Sequence, residues 1–336
     1  MQPSRPNSLA RFAPIFVALA VWIVWAFGMA AGDRWHLFAT EWFMSVTMMF
    51  GSFVAGATSE GGGAVAFPVM TLLFHIEPHV ARDFSLMIQT VGMGSATIAI
   101  LALRIRVERH AVLWASVGGT LGVVLGLEYV APRVEADFAK TTFLSVWLAF
   151  AFALYWINRY HDREVKLEIE GFLPRHALLL ACTGVLGGVI SSITGSGLDI
   201  VTFSLLVLRL RICERVATPT SVVLMAVNAA VGFAWKGSLG GGLAPEAWSY
   251  WWVCVPIVTV GAPFGARFIR DRSRHFVAGL LYVAIGAQFL AGLFVIEQTA
   301  PLVGYSVAVF AAGLLLFHRM AAGGVRRLEW LADEPG

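Results

Sequence analysis

Two short segments carry the residues best suited to chemistry. The first, break A (residues 58–63), reads Thr58-Ser59-Glu60-Gly61-Gly62-Gly63. The second, break B (residues 191–197), reads Ser191-Ser192-Ile193-Thr194-Gly195-Ser196-Gly197, and Asp199 follows it closely. Hydroxyls and free backbone N–H groups donate hydrogen bonds to oxyanions, and carboxylates exchange protons. The combination predicts an anion site with titratable groups beside it.

The predicted substrate contacts come from both breaks. They are Thr58, Ser59, Gly61, Gly62, Gly63, Ser192, Thr194, Gly195, Ser196 and Gly197, with Ser191 as a further hydroxyl. For any single hydroxyl, capping a helix or bonding back to a helix carbonyl is an equally open role. Supporting candidates on the segments that follow are Ser85, Gln89, Ser221 and Asn228. Their alternative role is to pack against or bridge neighbouring helices.

Glu60 and Asp199 are predicted to be the groups that exchange protons beside this anion site. An acid inside a membrane is costly and is a functional hypothesis by default. Burial disfavours the charged carboxylate, whereas helix N-terminal amides favour it, so the sequence leaves the protonation state open. Capping of a short helix is the alternative role of each acid.

The composition excludes a soluble enzyme. Of 336 residues, 58% are hydrophobic and 13% charged, against roughly 45–50% and 25% in an average soluble domain. The mean hydropathy is +0.75. The chain is therefore predicted to be an all-α polytopic membrane protein. Cys182, Cys213 and Cys254 are too far apart to suggest a disulfide framework or a metal site, and no cofactor is predicted.

Hydrophobic runs predict the elements that position these residues. A span needs about 20 apolar residues, and eight segments qualify: 13–31, 83–103, 111–131, 138–158, 216–235, 247–267, 276–296 and 301–318. Two longer stretches, 43–74 and 177–209, contain the breaks. Their pieces reach only about 16–24 Å as helix, so neither half is predicted to cross the bilayer alone.

The distribution of Lys and Arg favours re-entrant hairpins at both breaks. If both stretches double back, only five of the 24 basic residues face outward, namely Arg34, Arg82, Arg133, Lys140 and Lys236. If both crossed, this positive-inside bias would largely vanish. The prediction places both termini in the cytoplasm of an inner-membrane protein. The first span is interpreted as an uncleaved anchor, with a cleaved signal peptide as the alternative.

The chain contains an internal repeat. Residues 51–55 match 184–188 at an offset of 133, and residues 80–86 match 216–222 at an offset of 136. Each unit is a broken hairpin followed by three spans, which inverts the second unit relative to the first. The predicted segments are an anchor and outer loop (1–42), unit A (43–158), a cytoplasmic linker (159–176), unit B (177–296), and a final span with a cytoplasmic tail (297–336).

The repeated segments resemble a known family. "GATSEGGGAVAFPVMTLLF" and "GGVISSITGSGLDIVTFSLLVL", followed by "ARDFSL" and "ATPTSV", are similar to the TauE/SafE family of sulfite exporters over about residues 43–296. The resemblance implies transport of sulfite, sulfonates or related small anions across the cytoplasmic membrane. The second copy carries Asp199 and lacks a counterpart of Pro68, which leaves the substrate open.

The leading hypothesis is a secondary transporter of a small sulfur-containing anion, with transport coupled to protons through Glu60 and Asp199. The alternative is an anion channel or a permease for another small carboxylate or sulfonate. A remote alternative is an intramembrane serine protease built on Ser196, but every histidine falls in a loop or near a predicted span end, so no base is in reach. The expected partners are the small anion and the lipid bilayer, with no nucleic acid. A homo-oligomer stays open.

Overall fold

Helices form all the regular secondary structure in the described part of the chain, which confirms the predicted all-α class. The computed structural model describes residues 12–58, 61–159, 166–269 and 274–332. The helices are α1 (Ala13–Ala31), α2 (Leu37–Thr40), α3 (Trp42–Ala57), α4 (Gly63–Pro68), α5 (Pro78–Ala102), α6 (Arg109–Leu125), α7 (Ala136–Arg159), α8 (Pro174–Thr194), α9 (Leu198–Ser204), α10 (Glu214–Ser238), α11 (Pro245–Ile269), α12 (Arg274–Val295) and α13 (Ala300–Ala332). Helices α4, α6 and α9 continue as π-helical turns over Val69–Leu73, Gly126–Val130 and Leu205–Arg209.

Seven helices of the described residues are long and apolar enough to cross a membrane. They are α1, α5, α6 with its continuation to Arg133, α7, α8, α10 and α13. Their lengths match the roughly 20 residues that a hydrocarbon core requires. The chain is therefore a multi-pass membrane protein. The predicted spans 247–267 and 276–296 lie in α11 and α12, which are not among these seven and stay predictions as crossings.

The prediction that neither half of the stretch 177–209 could span was wrong for its first half. Helix α8 has 21 residues, because it begins at Pro174 and continues through the serine-rich start of break B. Ser192 Oγ donates to Val189 O at 2.6 Å, and Thr194 Oγ1 donates to Ile190 O at 3.2 Å. These bonds are compatible with helix, so the chain leaves it only at residues 195–197. Gly195 and Gly197 have φ angles of 79° and 151° there, which favour glycine.

The chain reverses direction at both breaks. A Cβ atom added to Gly187 in α8 would lie 2.7 Å from Leu198 Cα, so the start of α9 packs back against α8. In the same way, a Cβ on Gly51 in α3 would lie 3.4 Å from Val65 Cβ in α4. Both breaks are therefore the tips of folded-back helix pairs. The re-entrant placement of these tips in the bilayer stays a prediction.

Helices α5 and α10, which hold matching positions in units A and B, run antiparallel. The Ala244 N–H, just before α11, donates to Asp83 Oδ2 near the start of α5 at 3.1 Å. The Glu108 N–H, just before α6, donates to Thr220 Oγ1 near the start of α10 at 2.9 Å. Each helix thus begins beside the end of the other. The inverted orientation of the two units and their boundaries stay predictions.

Glycines bring two helix pairs into backbone contact across the units. Added Cβ atoms on Gly118 and Gly122 of α6 would lie 1.9 and 2.2 Å from Ala181 O and Val185 O of α8. In the second pair, a Cβ atom added to Gly265 of α11 would lie 2.1 Å from Phe53 O of α3. Such distances leave no room for any side chain, so these pairs pack closely only because glycine is present. Each pair joins a hairpin helix of one unit to a helix of the other.

We expect Gly118→Ala to destabilise the protein by about 1–3 kcal/mol, the usual cost of overpacking. The added methyl must push α6 away from α8. The matched control is Gly94→Ala in α5, where an added Cβ meets nothing within 4 Å and should be neutral or slightly stabilising. Thermal unfolding of the detergent-purified variants measures the difference. Equal melting temperatures for the two variants would contradict the close α6–α8 contact.

Candidate functional site

The two breaks meet. The Gly61 N–H of break A donates to Asp199 Oδ2 at 2.6 Å, although the two residues are 138 positions apart in the sequence. A Cβ on Gly61 would also lie 3.0 Å from Ser196 Oγ of break B. The predicted site residues from the two breaks are therefore brought together in one cluster.

Asp199 is the centre of this contact. It lies in the first turn of α9 and is 1% exposed. Its Oδ1 accepts hydrogen bonds from the N–H groups of Gly197 and Ile200, both at 3.0 Å, and Ser196 Oγ donates to Oδ2 at 3.2 Å. The carboxylate thus caps α9, as the alternative interpretation predicted, and in addition it holds break A. It occupies backbone amides that would otherwise be open to an external anion.

Helix α5 inserts Ser85 and Gln89 between the two breaks. Gln89 Nε2 donates to Gly195 O of break B at 2.7 Å and to Ser85 O at 3.0 Å. Added Cβ atoms on Gly61 and Gly195 would lie 2.0 Å from Gln89 Oε1 and 2.4 Å from Ser85 Cβ. Glycine at these positions is what allows both breaks to approach α5.

Several polar atoms in this cluster are buried without a partner. Ser85 Oγ and Gln89 Oε1 make no hydrogen bond in the part of the chain that the structure describes, and neither amide atom of Asn228 makes one. Asn228 Oδ1 lies near the start of α9, since a Cβ on Gly119 would contact both it and Leu198. Each unsatisfied buried group costs about 1–3 kcal/mol, so such groups call for an explanation. A ligand that forms hydrogen bonds with them would be such an explanation.

Other predicted contacts are already engaged with backbone carbonyls. Thr58 and Ser221 donate to Val54 O and Thr218 O at 2.9 and 2.8 Å. Thr194 Oγ1 shares its single proton between Ser196 O at 2.6 Å and Ile190 O at 3.2 Å, and Ser192 donates to its own helix. Their roles as ligands stay predictions.

The remaining predicted contacts have other surroundings. Gly62 packs near Met48 and Ala55, and Gly63 faces Ser85 and Gln89. The Ser191 hydroxyl accepts from the Leu198 N–H at 3.1 Å. Ser59 and Glu60 lie outside the described residues.

The comparison with known families identifies the class of protein. The family model named sulfite exporter TauE/SafE matches residues 43–293, a range that contains both breaks and α5. The chain belongs to this family. The predicted resemblance is confirmed, and with it the assignment to membrane transporters rather than to a family of enzymes. No curated protein and no solved structure gives a significant match.

The structure of this TauE/SafE protein adds a buried ion pair that the sequence analysis missed. Arg82 and Asp83 lie in α5 at 7% and 1% exposure, one turn before Ser85, and a Cβ on Gly195 would lie 3.0 Å from Arg82 O. The sequence predicts Arg82 only as one of the outward-facing basic residues and predicts no role for Asp83. The available signal was an adjacent Arg and Asp at the start of an otherwise apolar segment.

The cluster in this TauE/SafE protein is closed to solvent. Ser85 and Ser196 are fully buried, and Gln89 and Asp199 are each 1% exposed. A substrate can therefore reach these residues only after the surrounding helices move.

We expect Asp199→Ala to destabilise the protein by about 1–3 kcal/mol, because it leaves buried N–H groups such as that of Gly61 without an acceptor. Asp199→Asn, which keeps one acceptor oxygen, should cost less. The control is Asp137→Ala, which removes a half-exposed carboxylate paired with Lys140 and should cost under about 1 kcal/mol. Thermal unfolding in detergent ranks the variants. If Asp199→Ala unfolds like the control, Asp199 does not hold the breaks together.

Proposed function

We propose that this chain is a secondary transporter that moves a small sulfur-containing anion, either sulfite or an organosulfonate, across the cytoplasmic membrane, with both chain termini in the cytoplasm. The supporting observation is the buried contact between Gly61 and Asp199, flanked by Ser85 and Gln89. It joins the two breaks at a place where backbone amides, a hydroxyl and an amide side chain converge. Family membership supports the transporter class, and the choice of substrate is our proposal.

The substrate anion would take the place of the Asp199 carboxylate. Asp199 now accepts from the N–H groups of Gly61 and Gly197, and sulfite or sulfonate oxygens are acceptors of the same kind. Ser85 Oγ can donate one more hydrogen bond to the anion. Gln89 Oε1 can accept the proton of a hydrogen sulfite ion. The anion thereby satisfies groups that are unpartnered in its absence.

Proton coupling follows from this competition between two anions. Two negative charges on the same amides repel each other in a medium of low polarity. Protonation of Asp199 removes that repulsion and weakens its hold on Gly61, so a proton and the anion bind together. The described hydrogen-bond partners of Asp199 carry no other titratable side chain. Glu60 is our second coupling candidate on sequence grounds.

The closed cluster favours a carrier over a channel. A channel needs a continuous path, whereas the residues around Asp199 are buried on all sides. The antiparallel α5–α10 pair is closed at both ends by the bonds to Asp83 and Thr220. Opening one end at a time gives the alternating access expected of inverted repeats. The protease alternative loses support, because the Ser196 hydroxyl bonds to Asp199 rather than to a histidine base.

We expect purified protein in proteoliposomes to take up labelled sulfite or an organosulfonate, with sulfate, taurine and sulfoacetate as competitors. Ser85→Ala should raise the half-saturating concentration about tenfold, which corresponds to about 1.4 kcal/mol. The control is Ser116→Ala in α6, which removes another buried hydroxyl without a described partner and should change little. Uptake of the anion against its concentration gradient, if an uncoupler abolishes that uptake, would identify a carrier. Failure to move any sulfur oxyanion would overturn the substrate class.

We expect uptake of methanesulfonate to rise as the pH is lowered, because its charge stays constant and protonation of the coupling acid admits the anion. Asp199→Asn should flatten this profile, since the neutral side chain mimics the protonated state. Glu60→Gln is measured in parallel, and an unchanged profile would remove Glu60 from the coupling role. If Asp199→Asn keeps the wild-type profile, Asp199 is not the coupling group. Initial rates at several external pH values give the profiles.

A further inference from the structure

A buried positive charge lies on α5 one turn before Ser85, outside the residues discussed above as ligands. Arg82 Nε and Nη2 donate to Asp83 Oδ1 at 2.9 and 2.8 Å. Among the described residues, Asp83 is the only hydrogen-bond partner of this guanidinium, so its Nη1 nitrogen is available to a ligand. Arginine is always charged and its planar donors suit oxyanions.

Asp83 is shared by two cations. Its Oδ1 holds Arg82, and its Oδ2 accepts from the Ala244 N–H at 3.1 Å, with Lys236 Nζ of α10 at 3.8 Å. The buried pair of Arg82 and Asp83 is neutral, and the partly exposed Lys236 adds a second cation beside it.

The backbone of Arg82 lies against break B. Arg82, Ser85 and Gln89 have helix spacings i, i+3 and i+7, so they share one face of α5. That face contacts break B, since Gly195 lies against Arg82 O, Ser85 and the Gln89 amide. Ser85 Oγ and Gln89 Oε1 are fully buried and unpartnered in the described structure. Arg82 thus precedes these two unused polar groups on the face of α5 that contacts break B.

The opposite end of the helix pair holds a buried carboxylate with other partners. Glu108 is 3% exposed, and its Oε2 accepts from the Ile169 N–H at 2.9 Å. Its other oxygen accepts from the His110 N–H at 3.1 Å. Among the described residues, each end of the pair thus holds a buried acid, and the buried Arg82 distinguishes the Asp83 end.

We propose that Arg82 binds the transported anion at one end of the α5–α10 pair, and that Asp83 holds the guanidinium while no anion is present. The inference rests on the proposed function, because it adds a cation to the same site. It assigns a specificity role: Arg82 selects for negative charge, while Ser85 and Gln89 contact the oxygens. The anion and Asp83 compete for one guanidinium, as the anion and Asp199 compete for the amides.

The test compares half-saturating concentrations of labelled sulfite for full-length protein in proteoliposomes. Arg82→Gln should raise this value at least about tenfold, the size of a lost charge-assisted hydrogen bond. Arg82→Lys should fall in between, because it keeps the charge and loses the planar donors. Asp83→Asn should lower the value severalfold, because the guanidinium loses its internal competitor. The matched control is Arg133→Gln, which replaces an exposed arginine on the same predicted outer face. It should change the half-saturating concentration by less than about twofold.

The opposite signs expected for Arg82 and Asp83 separate binding from structural damage, which would impair both variants alike. Because Arg82→Gln leaves a buried carboxylate with less compensation, the double variant Arg82→Gln/Asp83→Asn removes both charges and preserves charge balance. It should fold, as judged by size exclusion and thermal unfolding, and still show the raised half-saturation. The inference is overturned if the folded double variant has the wild-type half-saturating concentration, or if Asp83→Asn raises that concentration. Either result leaves transport by the wild type, and so the proposed function, intact. If the wild type neither binds nor moves a sulfur oxyanion, the proposed function itself fails and the Arg82 inference with it.

Discussion

The hydrogen bond from Gly61 to Asp199 is the interaction on which the rest of the structure depends. A chain that leaves the helix inside an apolar protein must find acceptors for its exposed N–H groups. In break B, the Asp199 carboxylate serves Gly197 and Ile200, and it also reaches across to break A. One buried acid therefore satisfies both interruptions and fixes their separation. This arrangement explains why an ionisable residue occupies a buried position where a hydrophobic side chain would cost less free energy to bury.

Helix α5 provides the frame for this contact. Gln89 fastens break B through the Gly195 carbonyl, and glycines at positions 61, 63 and 195 let both tips approach Ser85 and Gln89. The same helix carries Arg82 and Asp83 one turn earlier. A guanidinium, a hydroxyl and an amide side chain thus lie within two turns of one rigid helix, and the two breaks pack against that helix. Rigid elements position binding groups more accurately than loops do.

Local signals in the sequence were sufficient for the fold class, the family and the position of the breaks. Hydropathy predicts helices because each span buries its own backbone bonds, and glycine runs in apolar stretches indicate interruptions. The end of α8 was mispredicted, because Ser192 and Thr194 bond to their own helix carbonyls and so remain helical where a loop was expected. Hydroxyl content alone does not reveal which acceptor a side chain chooses.

The site was only partly predictable, for a different reason. Asp199 and Gln89 were recognisable as polar residues in apolar surroundings, and the structure brings both to the breaks. Arg82 and Asp83 were missed, because their burial depends on Lys236 and on the Ala244 N–H, which are more than about 150 positions away in the chain. Contacts of that range follow from helix packing, which single-sequence patterns do not specify.

The glycine-lined contact between α3 and α11 has a consequence for how the protein is made. Gly265 of α11 meets Phe53 of α3, yet it leaves the ribosome about 200 residues later, a delay of roughly 10–40 s at common elongation rates. During that interval Phe53 lacks the helix that packs against it, and the Gly61 N–H lacks its acceptor until Asp199, 138 positions later, has been synthesised. The α3–α4 hairpin is thus made early in synthesis, but it completes its contacts only after most of the chain has followed.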